Sequence, residues 1–184
     1  MKKMRAFIAS FLAAATLFTF TGCSSFKVID DEDVFFDALD EAVGIDEDET
    51  LHAKNTKVNG DKAEFVIQAK DGDNYYYYVR FKKDEDAMDY FDEFYQDFDE
   101  LFAEKEFEGS HAMSVNKTRG AITFNGEVES SDNIGNKHFG YDNEIYGGLY
   151  VNKNVYIEVY SINGSKRDKE KIDSFLKTLG FPKP

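Results

Sequence analysis

Cysteine is nearly absent from this chain, tryptophan is absent, and histidine is scarce: one Cys, no Trp and three His in 184 residues. A single cysteine, Cys23, rules out an intrachain disulfide and a thiolate metal site, so the fold must be held by its core. His52, His111 and His138 never stand three or four residues apart, which excludes a zinc helix of the H-E-x-x-H kind. No G-x-S-x-G elbow, G-x-G-x-x-G turn or phosphate-binding loop occurs. Ser110 lies beside His111 among abundant carboxylates, but a catalytic triad is recognised by geometry and not by adjacency. Basic residues are also in deficit, 22 against 36 acidic, for a net charge of −14. Nucleic acid is excluded as a partner by that balance, because phosphate binding needs Lys and Arg.

What is present begins at the N-terminus. Lys2, Lys3 and Arg5 open the chain, an apolar run follows from Ala6 to about Phe20, and Thr21-Gly22-Cys23 precedes polar Ser24 and Ser25. A charged start, a short apolar stretch and small residues at a cut form the layout of a secretory signal. The apolar run spans roughly 15 residues, short of the ~20 that a spanning helix needs. With a cysteine at the cut, residues 1–23 resemble a bacterial lipoprotein signal peptide, although Phe20 stands where Leu is commonest. The resemblance implies a diacylglyceryl group on the Cys23 sulfur, cleavage before Cys23, and a protein held at the extracytoplasmic face of a membrane or envelope by acyl chains.

The expected organisation is a signal peptide over 1–22, lipidated Cys23 with a short tether over 23–29, and one domain over 30–184. Removing residues 1–22 leaves 162 residues, enough for one domain with a real core. The first 22 residues hold three basic residues and no acidic one, so the remainder carries 17 excess negative charges. Anionic headgroups should repel such a surface, leaving attachment to the acyl chains, each buried CH₂ contributing ~0.8 kcal/mol. Aromatic residues make up 16% of the chain, which argues against disorder.

Periodicity predicts a helix over 30–43, with Gly44 as its stop, and a long amphipathic helix from Asp84 to about Lys105 with an aromatic stripe. A last helix carries Ile172, Phe175, Leu176 and Leu179, starts at a Ser165–Asp168 capping box, and stops at Gly180. Alternation predicts a hairpin over 63–81 around Asp71-Gly72-Asp73-Asn74, and a second over 146–161 around Asn152-Lys153-Asn154. From Gly109 the chain turns β again, residues 120–127 read as a further strand, residues 51–60 as a candidate earlier one, and 128–143 as a long loop. The expected fold is α+β: an antiparallel sheet of two hairpins plus an extra strand, with helices packed on one face. Hairpin followed by helix at 63–105 and again at 146–180 is a weak internal similarity, without residue-level identity.

Two acidic runs invite a calcium test. After Asp46-Glu47-Asp48-Glu49, Leu51 occupies the position where an EF-hand needs Gly. After Asp142-Asn143-Glu144, Lys153 replaces the bidentate Glu. Neither is an EF-hand, no cofactor is indicated, and only weak Ca²⁺ binding of the millimolar extracellular class stays open. The remaining candidate is aromatic. Tyr76, Tyr78, Tyr156 and Tyr160, with Tyr150, are expected on the sheet face opposite the helices, where flat amphipathic rings suit sugars or peptides. High β-propensity accounts for strand tyrosines without any function, however.

The sequence thus points to a non-enzymatic lipoprotein that binds an extracellular or envelope ligand, a glycan or a protein. Two alternatives stand beside it. A membrane-tethered hydrolase of cell-wall or dietary polymers would need a cleft with two carboxylates or a His–carboxylate pair. An assembly factor docking on a membrane protein would use the short tether.

Overall fold

In the computed structural model, residues 26–103, 107–128 and 143–184 are described. Among these residues, three α-helices and seven strands follow one another as α1 (Glu32–Val43), β1 (Leu51–Val58), β2 (Asp61–Asp71), β3 (Asn74–Phe81), α2 (Asp84–Ala103), β4 (Phe107–Asn116), β5 (Arg119–Val128), β6 (Asn143–Asn152), β7 (Val155–Ser161) and α3 (Lys166–Leu179). The strands form one antiparallel sheet in the order β1-β2-β3-β7-β6-β5-β4.

Local chemistry explains the boundaries. Asp31 caps α1 by accepting the Asp33 N–H, and Gly44 ends it at φ +79°, a left-handed value that costs glycine little. Ser165 caps α3 through the Asp168 N–H. Asn59 and Gly60, both at positive φ, close the β1–β2 hairpin, as Asn-Gly favours. Gly72 at φ +61° turns β2 into β3.

The α+β class and the antiparallel sheet hold, but the helices do not share a face. Phe35, Phe36 and Leu39 of α1 and Ile172, Phe175, Leu176 and Leu179 of α3 pack with Phe65, Ile67, Tyr76, Tyr78, Ile157, Val159 and Tyr150. Phe91, Phe98 and Leu101 of α2 pack with Val79, Phe81, Ile122, Phe124, Leu149, Val151 and Tyr156 on the other side. Side chains alternate across a strand, so the sheet is the middle of three layers. The cause is visible in β3, whose run Tyr75–Val79 is apolar or aromatic on both sides; such a strand needs cover on both faces. The two hairpin–helix units are therefore not copies, since α2 and α3 lie on opposite faces.

Seven strands replace the expected two hairpins and one extra. β1 is confirmed as a strand. β4 gives the β structure expected from Gly109 its bounds, as a polar edge strand with no buried residue. The expected tether over 23–29 is also corrected at its far end, because Phe26 and Ile29 belong to the core. Phe26 is fixed by Asn152 Nδ2 donating to its carbonyl at 2.8 Å and by edge-on contacts with Tyr150 and Phe181. Cys23, and residues 129–142 of the expected loop, lie outside the described residues. Among the described residues, no helix is long and apolar enough to cross a membrane.

Candidate functional site

The five tyrosines expected on one face are divided between two. Cross-strand partners share a face, and Tyr76 pairs with Val159 while Tyr78 pairs with Ile157. Tyr76 and Tyr78 therefore lie with Tyr150 under α1 and α3, whereas Tyr156 and Tyr160 lie on the α2 side.

On the α1/α3 side the tyrosines are structural. Tyr78 is fully buried, packs its ring 5.2 Å from Phe35, and donates its hydroxyl to the Ile29 carbonyl at 2.9 Å. Tyr150 donates to the Pro182 carbonyl at 2.7 Å and touches Phe26 and Phe181. Tyr76 rests on Phe175 at 4.9 Å. Burial pushes the pKa of all three phenols up, with nearby acids adding to it at Tyr76 and Tyr150. The Tyr78 and Tyr150 hydroxyls tie the N- and C-terminal segments to the sheet.

On the α2 side one helix covers a wide sheet. Phe98 stacks on Phe124 at 5.2 Å, and the Phe91 ring lies so close to Gly120 that a Cβ there would meet it at 2.4 Å. That close approach seats α2 over β5. Toward β2 and the C-terminal end of β7 its cover gives out, leaving a cleft of about 600 Å³. Its lining includes Tyr75 and Tyr77 of β3, Glu158 and Tyr160 of β7, Tyr90 of α2, and Lys70 of β2. Tyr75 and Tyr160 are stacked cross-strand neighbours, with centroids 5.1 Å apart and planes within 18°, which makes a two-ring platform. The Lys70 ammonium lies over Tyr75, 4.7 Å from the ring centroid. The Tyr90 hydroxyl hydrogen-bonds Tyr77, forming the wall toward α2.

Glu158 sits opposite Tyr77 in register. Its side chain accepts the Tyr156 hydroxyl at 3.1 Å. Desolvation pushes the Glu158 carboxyl up to about 7, and the Tyr156 hydrogen bond offsets only part of that rise. Burial likewise raises Tyr77, Tyr90, Tyr156 and Tyr160, each with a contribution from the Glu158 charge. A strongly shifted acid in a cleft marks a functional candidate. Of the residues expected to bind, Tyr160 stands in this cleft with half-buried exposure, Tyr76 lines it while staying buried, and Tyr156 is buried beneath it. Tyr75, Tyr77, Tyr90 and Glu158 were not expected there. The signal for three of them was the run Tyr75–Tyr78 facing the alternation Tyr156-Glu158-Tyr160; only the β3–β7 pairing joins the two.

Glu49 also lines the cleft, but its carboxylate already accepts the Asp46 N–H at 3.1 Å. His52 Nε2 is 4.0 Å from a Glu47 oxygen, and its Nδ1 is 3.2 Å from the Thr50 hydroxyl. That hydroxyl donates to the Glu47 carbonyl at 2.8 Å, which binds it into the turn. His111 stacks on Phe102 at 4.1 Å, and desolvation lowers its pKa. Among the described residues, no three His, Cys, Asp or Glu side chains converge as a metal site. No family model matches this chain, and neither a curated protein nor a solved structure is similar to it.

Proposed function

We propose that this protein is a lipid-anchored extracytoplasmic lipoprotein whose domain binds a ligand in the cleft between α2 and the β2–β3–β7 part of the sheet. The anchor rests on residues 1–23, which resemble a lipoprotein signal. The observation that carries the binding reading is the half-open platform of Tyr75 and Tyr160 beside Glu158 and Lys70. The paired rings offer apolar surface in the cleft, and a carboxylate with an ammonium at its margin offers hydrogen bonds to hydroxyl or amide groups. A sugar ring of a cell-wall glycan, or the peptide attached to it, fits that combination. The protein processed in its own membrane should carry a thioether-linked lipid on Cys23 by mass spectrometry. It should also bind soluble cell-wall glycan fragments by calorimetry. Tyr160→Ala should abolish that heat, and unchanged binding would remove the cleft from the account.

A hydrolase is the second reading, favoured by one observation, the raised pKa of Glu158 in a cleft that Glu49 also lines. An acid near 7 is suited to protonate a leaving group. The commitment of Glu49 to its turn weighs against it as the partner carboxylate. Release of reducing ends from glycan fragments, lost in Glu158→Gln, would turn the account to catalysis.

A further inference from the structure

We infer that the end of the sheet where Phe26 enters the fold docks on an anionic lipid surface, with lysines at its turns meeting the headgroups. This rests on the proposed lipidation of Cys23. Two residues, Ser24 and Ser25, separate Cys23 from Phe26, so chain length alone limits the Cys23 Cα to roughly 11 Å from that of Phe26. Phe26 is not free to swing. Asn152 holds its carbonyl, Tyr150 and Phe181 hold its ring, and the Arg119 guanidinium lies 5.3 Å from that ring's centroid. A lipid on Cys23 therefore brings one end of the sheet toward the bilayer: the end with the β1–β2, β4–β5 and β6–β7 turns and the β3–α2 junction.

That end gathers exposed lysines in a strongly negative protein. Lys57 and Lys62 flank the first turn, Lys82 follows β3, Lys117 and Lys153 sit in the other two turns, and Lys27 follows Phe26; all six are exposed. None of the six makes an ion pair among the described residues, whereas Lys83 and Lys183 are paired with Asp86 and Asp173. Asp30, Asp31, Asp33, Asp61, Asp84 and Glu85 offset that charge over the whole end, so the attraction rests on the lysines in and beside the turns, which stand at the tips of the sheet. At the opposite end stand Glu47, Asp48, Glu49, Asp73, Glu108 and Glu127. Across the ~35 Å that an 11-residue strand such as β2 spans, those acids are screened from the bilayer at a Debye length of about 8 Å. The net charge of the whole domain predicts repulsion; its distribution predicts attraction at the tethered end. Each lysine close to an anionic bilayer strengthens attachment about fivefold.

The test uses the full chain, processed and purified with its lipid, in vesicles of 30% phosphatidylglycerol and 70% phosphatidylcholine or of phosphatidylcholine alone. A fluorophore is placed through T118C at the basic end or D48C at the acidic end; both replace exposed side chains. Headgroup-attached quenchers should quench the T118C label at least fivefold more than the D48C label. Adding K117E and K153E should reduce T118C quenching in the phosphatidylglycerol vesicles and leave it unchanged in phosphatidylcholine. Equal quenching at both ends, or no effect of the charge reversal, on a protein whose Cys23 is lipidated by mass spectrometry would overturn the docking alone. Cys23 without lipid would overturn both the anchor and the docking.

Discussion

The two faces of the sheet use the same residue type to opposite ends. Under α1 and α3, tyrosines are sealed by two helices, and two of them donate their hydroxyls to backbone carbonyls of the chain ends. Under α2, a single helix leaves part of its face uncovered, and tyrosines gather around a carboxylate in an open cleft. What separates a structural tyrosine from an available one is the number of helices covering the strand. Propensity alone places aromatic residues on both faces.

The largest effect is expected on the closed face. Tyr78→Ala removes a fully buried ring and the hydroxyl that holds Ile29, and should cost about 3–5 kcal/mol by chemical denaturation. The next belongs to the cleft. Because burial raises the Glu158 pKa to about 7 from an ordinary 4.5, its contribution to stability is fully present below the unfolded value. It is lost as pH rises through 7, a change of about 3 kcal/mol at 1.36 kcal/mol per unit. Glu158→Gln should flatten stability between pH 4.5 and 8, and a parent protein without that decline would contradict the assignment. Glu32, whose pKa is lowered, has the opposite sign. Burial works to raise it, but its own backbone N–H, Arg80 and Lys54 prevail. Its contribution is present above the ordinary value and lost as pH falls through the lowered one.

How much of this contrast could be read beforehand follows from how local each signal is. The three helices were legible because their spacing, caps and stops lie within a few residues, as at Asp31, Gly44, Ser165 and Gly180. The hairpin around Gly72 was legible for the same reason. The bounds of β4 were hard to see because an exposed edge strand need not alternate, and Phe107–Asn116 buries no residue. The division of the tyrosines was illegible because it depends on a register between residues about eighty positions apart, Tyr76 with Val159 and Tyr78 with Ile157. The run Tyr75–Val79 did contain the warning: a strand apolar on both sides calls for helices on both faces of the sheet, not on one.

Smaller effects sharpen the comparison. Gly120→Val places a side chain where the Phe91 ring sits and should cost about 1–3 kcal/mol as α2 is forced outward. Thermal unfolding would check it, with no loss expected if α2 seats elsewhere. Tyr160→Ala, at the half-buried rim, should change stability by about 1 kcal/mol or less while removing ligand binding. A Tyr160 variant as unstable as Tyr78→Ala would place that ring in the core and close the distinction between the faces.

The most direct test is a ring-labelled tyrosine NMR spectrum of the lipidated protein in nanodiscs, titrated with soluble cell-wall glycan fragments. The account predicts shifts for Tyr75, Tyr77, Tyr90 and Tyr160, with Tyr78 and Tyr150 unmoved. Shifts confined to Tyr78 and Tyr150, or binding by calorimetry with the cleft tyrosines silent, would contradict it.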